Sequence, residues 1–397
     1  MSSDLKKYKL DEFAKLVKKQ YQPNADEELI YIGLEHIEQQ TLRINGYGNS
    51  KKVISQKYRF SSGDILFGKL RPYFRKVFRP KFDGVCSTDI WVIKAKKDFD
   101  QGFLFYFLAN QSFIDACNSG SSGTRMPRAD WDHLSETEWK LPPLPTQRRI
   151  AEILSALDDK IELNRQTNAT LEAIAQAIFK EWFVNFNFPG VTGEMVESEL
   201  GMIPKGWRVG TVRDILVLAN ETMSPGVNPD KLFNHYSIPA FDSGHVPSQE
   251  LGSTILSNKY KVKSNSILVS KLNPRIPRIW TLKEVDQETS VCSTEFQVLL
   301  PQKTHYYSFA ANLFSQPSVI DTMKSRASGT SGSHQRINPQ DILDINIVVP
   351  TDDLLALYDK IVGNYFHRII IGLEESIKLA KIRDSLLPKL MSGVIEL

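Results

Sequence analysis

Ile65-Leu66 and Lys69-Leu70-Arg71-Pro72 return as Ile267-Leu268 and Lys271-Leu272-Asn273-Pro274, a constant displacement of 202 residues that tolerates change only at the third position of the second motif. Cys86-Ser87-Thr88 returns as Cys292-Ser293-Thr294, and Ser122-Gly123-Thr124 as Ser328-Gly329-Thr330, both displaced by 206, so an insertion of four residues separates the two registers. A repeat this long restricts the chain to two copies of one folded unit. After each copy a short proline-bearing run, Leu141-Pro142-Pro143-Leu144-Pro145 and Ile347-Val348-Val349-Pro350, leads into a long helical pattern. Each half therefore reads as a globular domain followed by a helix.

Within the copies the signals are those of strands and turns. Asp64-Ile65-Leu66-Phe67, Ile90-Trp91-Val92-Ile93, Ile267-Leu268-Val269 and Phe296-Gln297-Val298-Leu299-Leu300 are separated by Gly, Pro, Ser and Asn clusters. Phe103 to Cys117 and Tyr306 to Met323 read as amphipathic helices packed on those sheets. The fold class is α+β.

The first long helix is expected to start after an N-cap at Thr146. Ile150, Leu154, Leu157, Ile161, Asn164, Asn168, Leu171, Ala175 and Ile178 alternate steps of four and three, which is a heptad seam. Two asparagines in such a seam cost stability and fix register. Leu355, Tyr358, Val362, Phe366, Ile369, Leu373, Ile377 and Ala380 form a second stripe. The expected arrangement is an antiparallel coiled-coil pair with the two domains at opposite ends, the first helix spanning ~57 Å at about 1.5 Å per residue.

The net charge of +3 is small for a nucleic-acid binder, but it is unevenly distributed. Residues 1–140 hold 23 Lys and Arg against 18 Asp and Glu, and residues 200–345 hold 15 against 12. Residues 141–199 and 346–397 are acidic, with 5 against 9 and 6 against 7. Two basic modules alternate with two acidic ones. The chain lacks the ~18-residue apolar run of a membrane span and has no apolar leader-like segment, so a cytoplasmic location is expected. Cys86, Cys117 and Cys292 show neither paired spacing nor neighbouring histidines, which argues against a disulfide framework and structural zinc.

Lys57 to Phe82 carries eight Lys and Arg with one acid, Asp64, interleaved with seven Tyr and Phe, and no acid lies between Glu250 and Glu284. Basic side chains neutralise phosphates and bond guanine edges, so Lys69, Arg71, Arg75, Lys76 and Arg79 in the first copy, and Lys271, Arg275 and Arg278 in the second, are candidate DNA-binding residues. Ser119 to Arg128 and Ala327 to Arg336 are rich in small residues that let a backbone approach phosphate; they add Arg125, Arg128, His334, Gln335 and Arg336. The competing readings are solvated strand faces and surface loops, and they weaken because both features recur.

Signs of catalysis are few. Gly63-Asp64-Ile65-Leu66-Phe67-Gly68-Lys69-Leu70 has the spacing of a phosphate-binding loop, but Leu70 stands where the Ser or Thr belongs and the strand-like run lies between the glycines. Asp130, Glu138 and Lys140 have the composition of a metal-dependent nuclease site but no counterpart in the second copy. The chain is expected to have no enzymatic activity and no metal. A metal-dependent nuclease and a coiled-coil interaction scaffold without DNA binding stand as the alternatives.

Pro142-Pro143-Leu144-Pro145-Thr146-Gln147-Arg148-Arg149-Ile150-Ala151-Glu152-Ile153-Leu154, followed by Leu157-Asp158 and Lys160-Ile161, resembles the start of the central helix of Type I restriction–modification specificity subunits. Ile178-Phe179-Lys180 with Trp182-Phe183 resembles its end, and Gly201, Ile203-Pro204 and Gly206-Trp207 resemble the entry to that family's second recognition domain. The resemblance implies target recognition domains at 1–143 and 206–350, a central conserved helix at 144–188, a linker at 189–205 and a distal conserved helix at 351–397. It also implies a sequence-specific, non-catalytic subunit reading a bipartite double-stranded target, with the helices as a ruler for the spacer. Partners would be two modification subunits using S-adenosylmethionine to methylate adenine N6, and restriction subunits using ATP and Mg2+. Gln147, Arg148, Arg149, Ile150, Phe179 and Trp182 would bind partners. Pro350-Thr351-Asp352-Asp353-Leu354-Leu355 departs from Pro145-Thr146-Gln147-Arg148-Arg149-Ile150, so the two docking surfaces need not be equivalent.

Overall fold

Each copy of the repeat folds its strand-forming runs into one four-stranded and one five-stranded sheet with the same strand order. The computed structural model describes residues 5–24, 26–119, 126–329, 335–395 and 397. The chain divides into one unit of residues 1–163 with 375–397 and a second of residues 164–374.

In the first unit the four-stranded sheet runs Ala14–Leu16, Ile90–Ala95, Ile65–Gly68, Val77–Phe78. Its five-stranded sheet runs Gln20–Tyr21, Lys57–Phe60, Gly84–Cys86, Ile30–Ile32, Gly48–Asn49, with Ile30–Ile32 parallel to Gly84–Cys86. Lys6–Lys9 pairs antiparallel with Glu138–Leu141 and brings the two ends of the domain together. The second unit repeats this order with Leu216–Leu218, Phe296–Pro301, Ser266–Ser270, Ile279–Leu282 and with Thr222–Met223, Lys259–Lys261, Ser290–Cys292, Leu232–Tyr236, Ser248–Leu251. Its parallel pair is again the equivalent one, and Arg208–Thr211 closes on Asn346–Val349. A hairpin of Met195–Ser198 and Gly201–Pro204 is present in the second unit only among the described residues.

The helices on the sheets differ from expectation. Phe103–Cys117 is two helices, Gln101–Ala109 and Gln111–Ser119, because Asn110 is extended and its carbonyl starts the second by accepting from Phe113 and Ile114. The first is not amphipathic: every residue from Phe103 to Ala109 is buried, each large side chain contributing about 1.5–3 kcal/mol. Tyr306–Met323 likewise divides into Tyr307–Leu313 and Pro317–Arg326, with Pro317 in the first turn, where its missing N–H costs nothing.

The first long helix spans Leu144–Phe179 and ends in a π-turn over Lys180–Val184. It starts two residues ahead of the expected cap: Gln147 donates its N–H to Pro143, and Pro145 occupies the first turn. The second long helix spans Asp352–Met391. In the first unit Ile150, Ala151 and Leu154 share a core with Leu387, Leu390 and Met391. In the second, Ala175 and Phe179 share one with Leu355, Tyr358 and Val362. Asn164 and Asn168 donate to the carbonyls of Gly372 and Ile369, at 3.4 and 3.1 Å, so the polar seam positions do meet the facing helix.

The stripe read on the second helix holds from Leu355 to Ile369 and then fails. Leu373 is 37% exposed, Ile377 and Ala380 are half-buried, and the buried face passes instead through Gly372, Arg383 and Leu387. A glycine and an arginine are invisible to a search for apolar periodicity. Here the glycine admits Asn168, whose Oδ1 lies 2.7 Å from where a Cβ would stand, and the buried Arg383 meets the half-buried Asp158.

Candidate nucleic-acid interface

Three main-chain hydrogen bonds hold the turn after Ile65–Gly68 in the first unit. Lys69 N–H donates to Asp89 O at 3.0 Å, Arg71 N–H to Pro127 O at 2.8 Å, and Ala129 N–H to Lys69 O at 2.9 Å. Leu70 and Arg128 form a β-bridge, and the Arg128 guanidinium lies 3.5 Å from the Asp89 carboxylate. Arg71 is in the left-handed region at φ 52°, immediately before Pro72, an uncommon conformation for a side chain this long. A cleft beside this clamp is lined by Lys18, Tyr58, Lys69, Trp91, Arg128 and Trp131.

The second unit builds the same clamp from the repeated residues. Lys271 N–H donates to Glu295 O at 2.8 Å, Asn273 N–H to Gln335 O at 2.7 Å, and Ile337 N–H to Lys271 O at 3.0 Å. Leu272 bridges to Arg336, and Asn273 is left-handed at φ 49° before Pro274. Arg336 forks onto Glu295, with Nε and Nη2 at 3.1 and 2.9 Å from the two oxygens. That fork holds the Glu295 carboxyl below its ordinary range. The Lys271 ammonium sits 5.9 Å from the centre of the Tyr260 ring.

The predicted DNA-binding residues separate into two sets. Lys69, Arg71 and Arg128 converge on the first clamp, and Lys271, Gln335 and Arg336 on the second. Arg275 is exposed on the turn that follows Asn273. Arg79 lies over the Phe105 ring, 5.5 Å from its centre, away from the clamp. Three others are committed within the protein. Arg75 donates to Gln40 O at 2.7 Å and approaches Asp384 at 3.5 Å, Lys76 donates to Leu34 O, and Arg278 forks onto Asp242 at 2.8 and 2.9 Å. Arg125 and His334 lie outside the described residues, as do Ser122-Gly123-Thr124 and Thr330.

The charge count of the basic stretches therefore overstates the free positive surface. Lys57 is buried with its amine on Ser55 Oγ at 2.6 Å, and Lys259 repeats this on Ser257 Oγ at 2.6 Å. Burial lowers the pKa of both amines. Arg59 is taken by Glu27 at 3.1 and 2.6 Å, an acid far outside the stretch that was counted.

The partner-binding expectation narrows in the same way. Gln147 is buried, accepting from Asp100 N–H at 3.0 Å and donating to Pro142 O at 2.9 Å. Ile150, Phe179 and Trp182 are buried in the chain's own cores because they carry the helix-to-domain packing. Of the six, Arg148 and Arg149 are exposed.

Asp130 caps the helix Trp131–Ser135 by accepting from Asp132 N–H at 3.0 Å, and Glu138 pairs with Lys7 at 3.1 Å. Among the described residues no group of three or more His, Cys, Asp or Glu is placed to hold a metal ion.

Asp89 and Glu295 were missed in the sequence, although the signal is there. Each follows the repeated Cys-Ser-Thr directly, so the repeat runs one residue further in charge than in identity.

Residues 2–173 match the family model described as the Type I restriction modification DNA specificity domain. The chain is 25% identical over 471 residues to the Type I restriction enzyme HindI specificity subunit of Haemophilus influenzae, covering 99% of this chain and 100% of the relative. It is 34% identical over 180 residues to the EcoDI specificity subunit of Escherichia coli, covering 43% and 40%. The crystal structure of the Type-I restriction-modification system S subunit from M. genitalium matches with a TM-score of 0.58 at 16% identity, covering 98% of this chain and 96% of that one. This last likeness concerns the fold.

Proposed function

We infer that this chain belongs to the Type I restriction modification DNA specificity family and is the subunit that selects the DNA sequence on which a Type I restriction–modification complex acts. It is non-catalytic and works with the other subunits of that complex and with DNA. The observation that carries the reading is the clamp built twice, each time gathering a lysine, an arginine and an acid at the end of a sheet strand. Paired basic sites on repeated domains suit a target in two parts, because each clamp can address its own half-site.

In this reading the target is bipartite double-stranded DNA. Two modification subunits carrying S-adenosylmethionine methylate adenine N6 within it, and restriction subunits supply ATP- and Mg2+-dependent translocation and cleavage. Arg148 and Arg149 belong to the docking surface for a modification subunit. A cytoplasmic location for the complex is supported by this chain's likeness to a bacterial restriction-system subunit. Among the described residues no helix is long and apolar enough to cross a membrane.

Co-expression with the modification subunit, followed by genome-wide mapping of N6-methyladenine by single-molecule sequencing, tests the reading. A bipartite methylated motif that disappears when this chain is omitted is the expected result. An assembled and active complex that yields no motif overturns it.

A further inference from the structure

Each clamp places a carboxylate where a surface built only to hold phosphate would have none. Asp89 and Glu295 stand at equivalent positions, and each gives its main-chain carbonyl to the clamp lysine and its carboxylate to the clamp arginine. The two acids are alike in exposure, 34% and 33%, although one is Asp and the other Glu. Their arginines are about half exposed, so these pairs lie at the surface that would meet DNA, not in a core. An acid at such a surface repels the phosphate backbone and weakens sequence-independent binding.

We propose that Asp89 and Glu295 are specificity-determining residues that hold the Arg128 guanidinium, by a single contact at 3.5 Å, and the Arg336 guanidinium, by a fork, for the edge of a G·C pair and against phosphate. The proposal rests on the DNA-reading function inferred above. The chemistry is complementary: a guanidinium donates two bonds to guanine O6 and N7, and a carboxylate accepts from cytosine N4. If the arginine turns to a phosphate instead, the acid is left beside that phosphate without its partner, and the non-cognate complex is penalised. Selectivity then comes from the acid as much as from the arginine.

The test uses the assembled methyltransferase complex with Asp89→Asn or Glu295→Gln, changes that keep shape and remove charge. Glu295→Gln is expected to relax one G·C position in one half-site, with use of non-cognate bases there rising roughly 10-fold, within the cost of one mismatch. Asp89→Asn is expected to relax one position in the other half-site. In both variants affinity for unrelated DNA rises, and the slope of log affinity against log salt steepens by about 0.9 for the arginine released to phosphate. Glu295→Asp, which keeps the charge, is expected to retain most of the selectivity. An unchanged motif in intact variant complexes overturns the proposal, and so does equal relaxation of both half-sites, which marks general destabilisation. A wild-type complex that gives no bipartite motif overturns the functional reading itself, and the two failures are thereby distinguished.

Discussion

Asn168 donates its side-chain amide to the main-chain carbonyl of Ile369, 3.1 Å away on the facing long helix, and it does so across the space left by Gly372. A Cβ at residue 372 would stand 2.7 Å from Asn168 Oδ1. Gly372→Ala is therefore expected to turn the asparagine out of its bond and to destabilise the second unit by about 1–3 kcal/mol, even though alanine is the better helix former. Chemical denaturation gives the value. Adding Asn168→Ala should recover part of the loss, and a strictly additive double variant would show that the two residues do not interact.

Arg383 is only 2% exposed and donates to Asp158 at 2.6 Å, while the Tyr106 hydroxyl donates to the other Asp158 oxygen at 2.7 Å. Arg383 keeps a second carboxylate, Asp384 at 3.0 Å, so Asp158→Ala removes one of its two acid partners together with the bond from Tyr106, and is expected to cost the first unit about 2 kcal/mol. Tyr106→Phe loses a single hydrogen bond and should cost about 1 kcal/mol. Hydrogen exchange over 101–109 and 375–391 is the measurement; equal protection in wild type and Asp158→Ala would show that the network carries no stability.

Arg275 and Arg278 sit three residues apart and should behave differently. Arg275 is exposed and has no ion-pair partner among the described residues, whereas Arg278 is held in a fork by Asp242. Arg275→Ala is expected to lower DNA affinity for all sequences and to reduce the salt slope by about 0.9 without altering the methylated motif. Arg278→Ala is expected to loosen the segment around residues 238–242, seen as faster hydrogen exchange there, with a smaller direct effect on the slope.

Burial holds the imidazoles of His235 and His245 below their ordinary value of 6.5, against the opposing pull of Glu250 on the first and Asp242 on the second. Depressed histidines mean that the unfolded chain binds more protons between the folded value and 6.5. Their contribution to stability is thus complete above about pH 6.5 and is lost as pH falls through the folded values. The denaturation midpoint of the second unit should drop between pH 7 and pH 5, and the double variant His235→Asn with His245→Asn should flatten that drop. An identical slope in the variant would assign the dependence to other groups.

The elements legible in the sequence are those whose signal is local or repeated. The 202-residue displacement anticipates two sheets of matching order, and the spacing of Ile150, Leu154, Ile161 and Ala175 anticipates the buried face of the first long helix. What escaped depends on partners distant in the chain. Arg75 and Arg278 look as free as Lys69 until Gln40, Asp384 and Asp242 are placed beside them. Gln147 and Ile150 resemble surface-docking residues because a motif carries no record of which face is already covered by the chain's own domain. Asp89 and Glu295 could have been found by extending the repeat in charge, since an acid follows Cys-Ser-Thr both times.

The buried run Phe103–Ala109 of the helix Gln101–Ala109 belongs to a core completed by Leu387, Leu390 and Met391. Those closing residues leave the ribosome only after all of Asn164–Glu374 has been made, which at about 5–20 residues per second takes roughly 10–40 s. For that interval the earliest core of the nascent protein lacks its final wall, while the later unit can finish folding first. Translation thus exposes a greasy, aromatic surface in every newborn copy, and the holding capacity of the cell's chaperones becomes part of what determines the yield of the native chain.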